Sequence, residues 1–330
     1  MSDSNHTSIG VLKVSRQGFG CMGLSHVYGR ADEAESLRTL DRAIELGINF
    51  LDTADVYGLG HNEELLARAL KGRRDRLVVA SKFGNRLDRE TSGRAQDGRP
   101  EYVRQALEAS LRRLGTDHVD LYYLHRLDPQ VPIEETVGEL GRLKAEGKLR
   151  AVGLSEVDAA VLRRAHKTHP IAALQSEYSL WTREVEDEIL PTARKLGIAF
   201  VAYSPLGRGF LAGALPSEAD DRRNIHPRFQ ADAIAANSRR LAVVKSLAAE
   251  RGVSEAQIAL AWVLSKGVVP IPGTRHVAHL EANWEANDIR LEPAEVEELE
   301  DVFRIGSTVG ERYPPGAPAV PGRAGARAAA

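Results

Sequence analysis

Along most of this chain, short apolar runs alternate with longer segments in which apolar residues recur with helical spacing. Several short runs are apolar at consecutive positions, which is typical of strands buried on both faces of a sheet. Alternating strands and helices predict a parallel sheet joined by right-handed crossovers. The eight predicted strands are FGCMG (19–23), INFLD (48–52), LVVASKF (77–83), VDLYYLH (119–125), LRAVGLS (149–155), AALQSEY (172–178), AFVAYSP (199–205) and VVPIPG (268–273).

The longer segments predict helices between these strands, and one helix begins at about Glu63. Eight strands favour closure into a (β/α)8 TIM barrel over an open doubly wound sheet, because no G-x-G-x-x-G follows the first strand. The other predicted helices span 32–47, 99–115, 132–148, 156–169, 182–197, 238–252 and 276–287.

Two segments interrupt the alternation. Residues 207–237 follow the seventh predicted strand, and a connection of this length is usually functional or disordered. Residues 313–330 are rich in Pro, Gly and Ala and offer little apolar surface for burial, so we predict a disordered tail. We therefore predict a single barrel domain over residues 1–312.

Composition restricts the classes of function. The 330 residues are 43% hydrophobic and 27% charged, with a formal net charge of −2, which fits a soluble globular protein. Without a basic stripe, no nucleic-acid partner is expected. No apolar run approaches the ~20 residues that span a bilayer, so no membrane association is expected. The single cysteine fits a reducing compartment, and the polar amino-terminal segment lacks a signal peptide, so we expect a cytoplasmic protein.

Polar side chains stand at or just beyond the carboxyl ends of the predicted strands, and in a barrel these ends converge on one mouth. Apolar strands seldom end in charged residues for packing reasons, because a buried charge is costly unless it is paired. The residues are Asp52, Tyr57, Lys82, His125, Ser155, Gln175 and Tyr203.

Four of these residues form a proton-transfer group. A nearby ammonium favours a phenolate, so Lys82 is expected to lower the pKa of Tyr57 from about 10. Asp52 can keep Lys82 charged, and His125 can donate a hydrogen bond to a carbonyl oxygen. The group lacks a nucleophile with an adjacent base, which argues against acyl transfer. Since no side chain delivers hydride, this chemistry requires a cofactor.

Ordered motifs over about residues 8–310 resemble the aldo-keto reductase superfamily, and most closely its auxin-induced-type and perakine-reductase-type subgroup. They are GINFLDTADVYG, VASKFG, DLYYLHR, VGLSE, LQSEYSL, AYSPLGRGFLAG and IPGTRHVAHLEANW. The resemblance implies a (β/α)8 barrel with an N-terminal hairpin cap. It also implies an NADP-dependent oxidoreductase that reduces small aldehydes or ketones, with NADPH bound across the barrel mouth.

The resemblance assigns roles to individual residues. Tyr57 matches the general acid, Lys82 and Asp52 the pair that tunes it, and His125 the carbonyl-orienting residue. The cofactor-binding matches are Ser155 and Gln175 for the nicotinamide carboxamide, Tyr203 for stacking on its ring, Ser204, Pro205, Leu206, Gly207 and Arg208 for the pyrophosphate, Gly273, Thr274 and Arg275 for the 2′-phosphate, and Asn283 for adenine. Three positions depart from the usual family pattern: Glu156, His279 and Ala282.

Two other functions stay open at this point. The first is an NADPH-binding redox-sensing regulatory subunit with slow turnover, because potassium-channel β subunits share the family's fold. The second is a metal-dependent hydrolase, which would need a ligand cluster such as H-x-H after the first strand. Only His26 stands there, so no metal site is predicted.

Overall fold

The parallel sheet expected from the sequence is present and curls into a barrel. The computed structural model describes residues 5–25, 32–86, 95–216, 221–315 and 317, which excludes His26 and most of the predicted tail. In the described chain, an antiparallel hairpin, β1 (His6–Ile9) and β2 (Leu12–Ser15), precedes eight parallel strands that pair in chain order. The strands are β3 (Phe19–Gly20), β4 (Phe50–Asp52), β5 (Val78–Phe83), β6 (Val119–Leu124), β7 (Leu149–Ser155), β8 (Ala173–Glu177), β9 (Ala199–Tyr203) and β10 (Val269–Pro270).

Backbone hydrogen bonds join the first and last parallel strands and close the barrel. The N–H of Gly18 donates to the carbonyl of Pro270 at 3.0 Å, and that of Gly20 donates to the carbonyl of Pro272 at 3.3 Å. A Cβ atom on Gly20 would lie 2.7 Å from the carbonyl oxygen of Ile271, so only glycine fits this approach. The prediction of a (β/α)8 barrel is confirmed, and an open doubly wound sheet is excluded.

Helices cover the outside of the barrel, and most predicted helices are present with slightly shorter bounds. In the described residues they are α1 (Glu33–Glu45), α2 (His61–Leu70), α3 (Pro100–Leu114), α4 (Ile133–Ala145), α5 (Ala159–Thr168), α6 (Ile189–Lys195), α7 (Ala231–Ser238), α8 (Leu241–Arg251), α9 (Glu255–Ser265), α10 (Val277–Glu285) and α11 (Pro293–Val302).

The helix predicted over residues 182–197 is wrong in its first half. That part contains only a short 3-10 turn, Glu184–Glu186, and α6 begins at Ile189. Pro191 explains the late start, because proline lacks the N–H needed inside a helix but is tolerated in the first turn.

The segment after β9 is not a plain loop. Its described residues form three 3-10 turns followed by α7, and residues 217–220 lie outside the described chain. Phe210 and Leu211 are fully buried, and the Phe210 ring stacks on Trp181 with 4.0 Å between ring centroids. This apolar packing holds the start of the segment against the barrel mouth.

The β1–β2 hairpin covers the amino-terminal end of the barrel. The N–H of Ser15 donates to Oδ1 of Asn49, just before β4, at 2.7 Å. Ile9 and Leu12 belong to the same buried cluster as Phe50 and Tyr123. This packing leaves the carboxyl-terminal end for chemistry. No helix in the described residues has the length and apolar character needed to cross a membrane.

The tight interior supports a stability prediction. A Cβ atom on Gly153 in β7 would lie 2.3 Å from the ring of Tyr123, so Gly153→Ala forces the packed strands apart. Overpacking of this kind costs about 1–3 kcal/mol, and we expect a lower thermal unfolding midpoint.

Gly138→Ala is the matched control. Gly138 lies inside α4 and its added Cβ meets nothing within 4 Å, so alanine's helix propensity should leave the midpoint equal or higher. Equal stability of the Gly153→Ala variant and the wild type, measured by calorimetry, contradicts the proposed crowding.

Candidate active site

A fully buried ion pair lies at the carboxyl end of β4 and β5. The register pairs Asp52 with Ala80, which places Lys82 just beyond it toward the barrel mouth. The ammonium of Lys82 donates to Oδ1 of Asp52 and, at 2.8 Å, to the carbonyl of Thr53. Gln175 Nε2 donates to the other oxygen, Oδ2 of Asp52, at 2.7 Å.

The pair keeps Lys82 charged although its side chain has 0% exposure. Burial lowers the pKa of Lys82, but Asp52 and Tyr57 outweigh burial and raise that pKa above its ordinary value. A protonated ammonium is therefore present across the physiological range.

Tyr57 stands directly beside this cation. It begins the 3-10 turn Tyr57–Gly60 after β4, and Lys82 Nζ lies 5.2 Å from the centroid of its ring. Burial raises the pKa of Tyr57, and Lys82 opposes that rise without cancelling it. Lys82 thus lowers the pKa of the phenol as expected, but the loss of water around the phenol outweighs the neighbouring cation, so the pKa lies above its ordinary value.

His125 completes the group at the end of β6. Its ring meets that of Tyr57 edge to face, with 5.9 Å between centroids, and its side chain is 8% exposed. Burial, Arg126 and Lys82 hold the pKa of His125 well below its ordinary value. Nδ1 of this neutral imidazole is buried without a hydrogen-bond partner. The four residues predicted as catalytic are thus brought together.

A second buried acidic group lies behind the turn. Burial, and then the charge of Glu63, raise the pKa of Asp55 to about 8, and Asp55 Oδ1 has no hydrogen-bond partner. Glu63 is held by Arg113 at 2.7 Å and by the hydroxyl of Ser81. No local sequence pattern indicated this cluster, because Glu63, Ser81 and Arg113 come from three separate elements.

The predicted carboxamide and stacking residues lie on the next three strands. Ser155 ends β7, Gln175 lies in β8 opposite Ser155, and Tyr203 ends β9. The described residues contain four non-glycine positions with positive φ, and each lies in a connection that follows β4, β7 or β9. They are Leu59, Glu156, Ser204 and Arg208. Strained backbone of this kind concentrates at functional sites.

The predicted pyrophosphate loop combines tight turns with a cation. Ser204, Gly207, Arg208 and Gly209 all have positive φ, and successive turns of this type direct backbone N–H groups toward an anion. Arg208 Nη2 donates to Glu177 Oε2 at 3.3 Å.

The predicted adenosine-end residues lie beside the seam that closes the barrel. A Cβ atom on Gly273 would lie 2.4 Å from the carbonyl oxygen of Gly20. Thr274 and Arg275 precede α10, and the carbonyl of Arg275 accepts a hydrogen bond from Thr39 at 3.0 Å. Asn283 lies in α10, far along the chain from the catalytic group, and its carbonyl accepts from Gln17 Nε2 at 2.8 Å.

A cluster of arginines and glutamates lies at the mouth, and no local sequence pattern indicated it. Arg312 Nη2 donates to Glu156 Oε1 at 2.7 Å and lies 3.4 Å from Glu177 Oε2. Burial raises the pKa of Glu177, but Arg312, Arg208 and Arg228 outweigh it and lower that pKa to about 2.

Tyr313, the first residue of the predicted tail, also lies at this mouth. Its hydroxyl is 2.8 Å from that of Tyr203. The sequence signal was weak, because Arg312 and Tyr313 immediately precede a Pro/Gly-rich stretch. The boundary between domain and tail stays a prediction, although these two side chains belong to the site.

No group of three His, Cys, Asp or Glu side chains in the described ranges is arranged to hold a metal ion. The geometry instead combines one proton-transfer group with an adjoining loop suited to an anion. These residues therefore provide no ligand set for a metal-dependent hydrolase.

Comparisons with known proteins agree with this arrangement. A sequence model of the Aldo/keto reductase family matches residues 17–304. A curated relative, the probable aldo-keto reductase 1 of Glycine max, is 45% identical over 309 residues, which cover 92% of this chain and 89% of the relative.

Solved structures give the same result. The glycerol dehydrogenase AKR11B4 from Gluconobacter oxydans superposes with a TM-score of 0.82 at 30% identity, covering 95% of this chain and 99% of that one. An aldo-keto reductase from Klebsiella pneumoniae in complex with NADPH has a TM-score of 0.69 at 30% identity, covering 88% and 92%.

The charge state of His125 is open to measurement. Its lowered pKa predicts a neutral ring throughout pH 6–8, whereas a histidine with an ordinary pKa titrates near 6.5. NMR of the ¹³C-labelled imidazoles, assigned with His125→Gln, should show one resonance that stays constant across this range. In urea the same ring should titrate normally, and a midpoint near 6.5 in the folded protein contradicts the burial argument.

Proposed function

The chain belongs to the aldo/keto reductase family, and we propose that this NADP-dependent oxidoreductase reduces aldehydes or ketones to alcohols with Tyr57 as the proton donor. The observation that carries the proposal is the buried Lys82–Asp52 pair beneath Tyr57, with the neutral ring of His125 at its edge. Burying an ammonium to 0% exposure is costly, so its position beside a phenol indicates a functional role.

The residues at the mouth fit a nicotinamide dinucleotide. The positive φ values at Ser204, Gly207 and Arg208 suit a pyrophosphate, and Tyr203 offers a ring at the end of β9. Glu156 Oε2 is buried and has no hydrogen-bond partner, so it can accept a hydrogen bond from a carboxamide N–H₂. When bound, NADPH supplies the hydride, so that carbonyl compound, NADPH and one proton give alcohol and NADP⁺.

The protein's own residues manage the proton. Tyr57 gives its phenolic proton to the carbonyl oxygen and recovers one from solvent. Burial keeps the phenol protonated beforehand, while the fixed charge of Lys82 stabilises the phenolate that forms. Asp52 holds that charge in place with one oxygen, and its second oxygen is held by Gln175.

His125 orients the substrate. Because its ring is neutral, one nitrogen carries a hydrogen and can donate to the carbonyl oxygen without competing as an acid. The rings of His125 and Tyr57 are perpendicular, with 5.9 Å between centroids, so donors on both rings can serve one carbonyl oxygen. Two donors, unlike a single donor, fix the direction of the carbonyl group.

Tyr57→Phe tests the proton donor. General acids contribute roughly 10²–10⁴-fold, so turnover should fall by about that factor while NADPH affinity hardly changes. The measurement is single-turnover NADPH oxidation with a panel of aliphatic and aromatic aldehydes, α-dicarbonyls and ketones. Tyr102→Phe, which keeps its ring under Arg86, is the matched control.

Wild-type rates in Tyr57→Phe refute the proton-donor role. Tight stoichiometric NADPH binding without turnover on any carbonyl compound would instead favour the regulatory subunit that the sequence left open.

Arg275→Gln tests the expected preference for NADPH. A guanidinium forms charge-assisted hydrogen bonds with a phosphate, worth about 1.5–3 kcal/mol, so the dissociation constant for NADPH should rise about 10- to 100-fold. NADH lacks the 2′-phosphate and should bind almost as before. Fluorescence titration gives both constants, with the exposed Arg76→Gln as control. Equal losses for the two cofactors rule out a 2′-phosphate contact.

A further inference from the structure

The guanidinium of Arg126 lies at the active site and has no part in the chemistry derived above. Its Nη1 donates to the carbonyl of His125 at 2.6 Å and to Oγ of Ser155 at 3.2 Å. Its Nη2 donates to the hydroxyl of Tyr313 at 3.4 Å. All three acceptors are neutral, so they satisfy N–H groups without balancing the positive charge.

No carboxylate in the described part of the chain forms an ion pair with Arg126. Glu156 and Glu177, two buried carboxylates at this mouth, are both engaged by Arg312. Burial lowers the pKa of Arg126, and nearby groups that include Glu156 outweigh it, so the guanidinium stays charged. A partly buried cation without a counter-ion is unfavourable unless a ligand supplies the opposite charge.

Arg126 lies beside the catalytic group at the ends of β6 and β7. It follows His125 directly and contacts Ser155, which ends the neighbouring strand β7. Its charge also acts on the phenol of Tyr57, where it lowers the pKa against the effect of burial. The cation is therefore close to the place where a carbonyl group meets its two donors.

We propose that Arg126 selects substrates that carry a carboxylate a few carbon atoms from the carbonyl group. The inference rests on the proposed reductase function and adds the substrate class. A guanidinium presents paired N–H donors that match the two oxygens of a carboxylate. One cation without an ion-pair partner among the described residues suits a monoanion. Because Arg126 donates to the carbonyl of His125 at 2.6 Å and to Ser155 at 3.2 Å, its guanidinium is held beside the end of β6, so the carboxylate is placed a few carbon atoms from the carbonyl group.

Tyr313 adds to this site from the carboxyl-terminal segment. Its hydroxyl lies between Arg126, at 3.4 Å, and the hydroxyl of Tyr203, at 2.8 Å. A phenolic O–H can donate to a carboxylate seated on Arg126, because its rotor is free to turn. The segment that carries it is held by Arg312 on Glu156.

The test compares 4-oxobutanoate with its methyl ester, which has the same aldehyde and no charge. Full-length wild type, Arg126→Gln and Arg126→Lys are assayed at saturating NADPH, with the exposed Arg304→Gln as the matched control. Wild type should prefer the acid in kcat/KM. Arg126→Gln should lose about 10- to 100-fold on the acid, mostly through KM, and only a few-fold on the ester. Arg126→Lys should fall between the two.

A binding measurement supplies a readout besides turnover. Calorimetric titration of 4-hydroxybutanoate into the enzyme with NADPH should give a dissociation constant about 10- to 100-fold weaker in Arg126→Gln. Thermal unfolding and NADPH titration check that each variant is folded and binds cofactor. If Arg126→Gln does not fold, Arg126→Lys replaces it in both measurements.

Several outcomes overturn the inference: wild type that prefers the ester, equal losses on acid and ester, or a parallel loss of NADPH affinity. Failure of the reductase function looks different. In that case neither aldehyde is reduced by wild type, while 4-hydroxybutanoate still binds through Arg126.

Discussion

The buried charge of Lys82 is the constraint on which the rest of the site depends. An ammonium without water must have its charge balanced and its three N–H bonds directed, and this chain meets both needs with Asp52 and the carbonyl of Thr53. Because Asp52 lies on β4 and Lys82 on β5, the pair also fixes the register of two barrel strands. Gln175 extends the network to β8 across the barrel. The same few side-chain atoms thus position the candidate catalytic residues and pair the strands.

Much of this could be predicted from the sequence, and the physical reason is periodicity. Strands buried on both faces leave continuous apolar runs, so all eight were found, and charged ends such as Lys82 were conspicuous within them. Helix α9 was missed because it is buried on nearly every side, which removes the polar face that a periodic pattern needs. Its start was nevertheless marked, since Ser254 and Gln257 form a capping box.

The parts that could not be predicted depend on long-range contacts. The sign of the pKa shift of Tyr57 depends on how completely water is excluded, which no motif records. Likewise, Arg312 meets Glu156 across more than 150 positions of sequence, from a segment whose composition indicated disorder. Burial and distant charge are properties of the folded chain, and local sequence patterns report neither.

The seam between β3 and β10 has a consequence for the whole barrel. It is closed by the shortest strands of the sheet, two residues each, and by the backbone contacts of Gly18 and Gly20. The residues matched to the adenosine end of the nucleotide begin at Gly273, directly against this seam, while Asp52 stands on the strand next to it. A dinucleotide bound by these matched residues would connect the two edges of the sheet. By mass action, such a ligand would stabilise the closed barrel in proportion to its concentration relative to its dissociation constant.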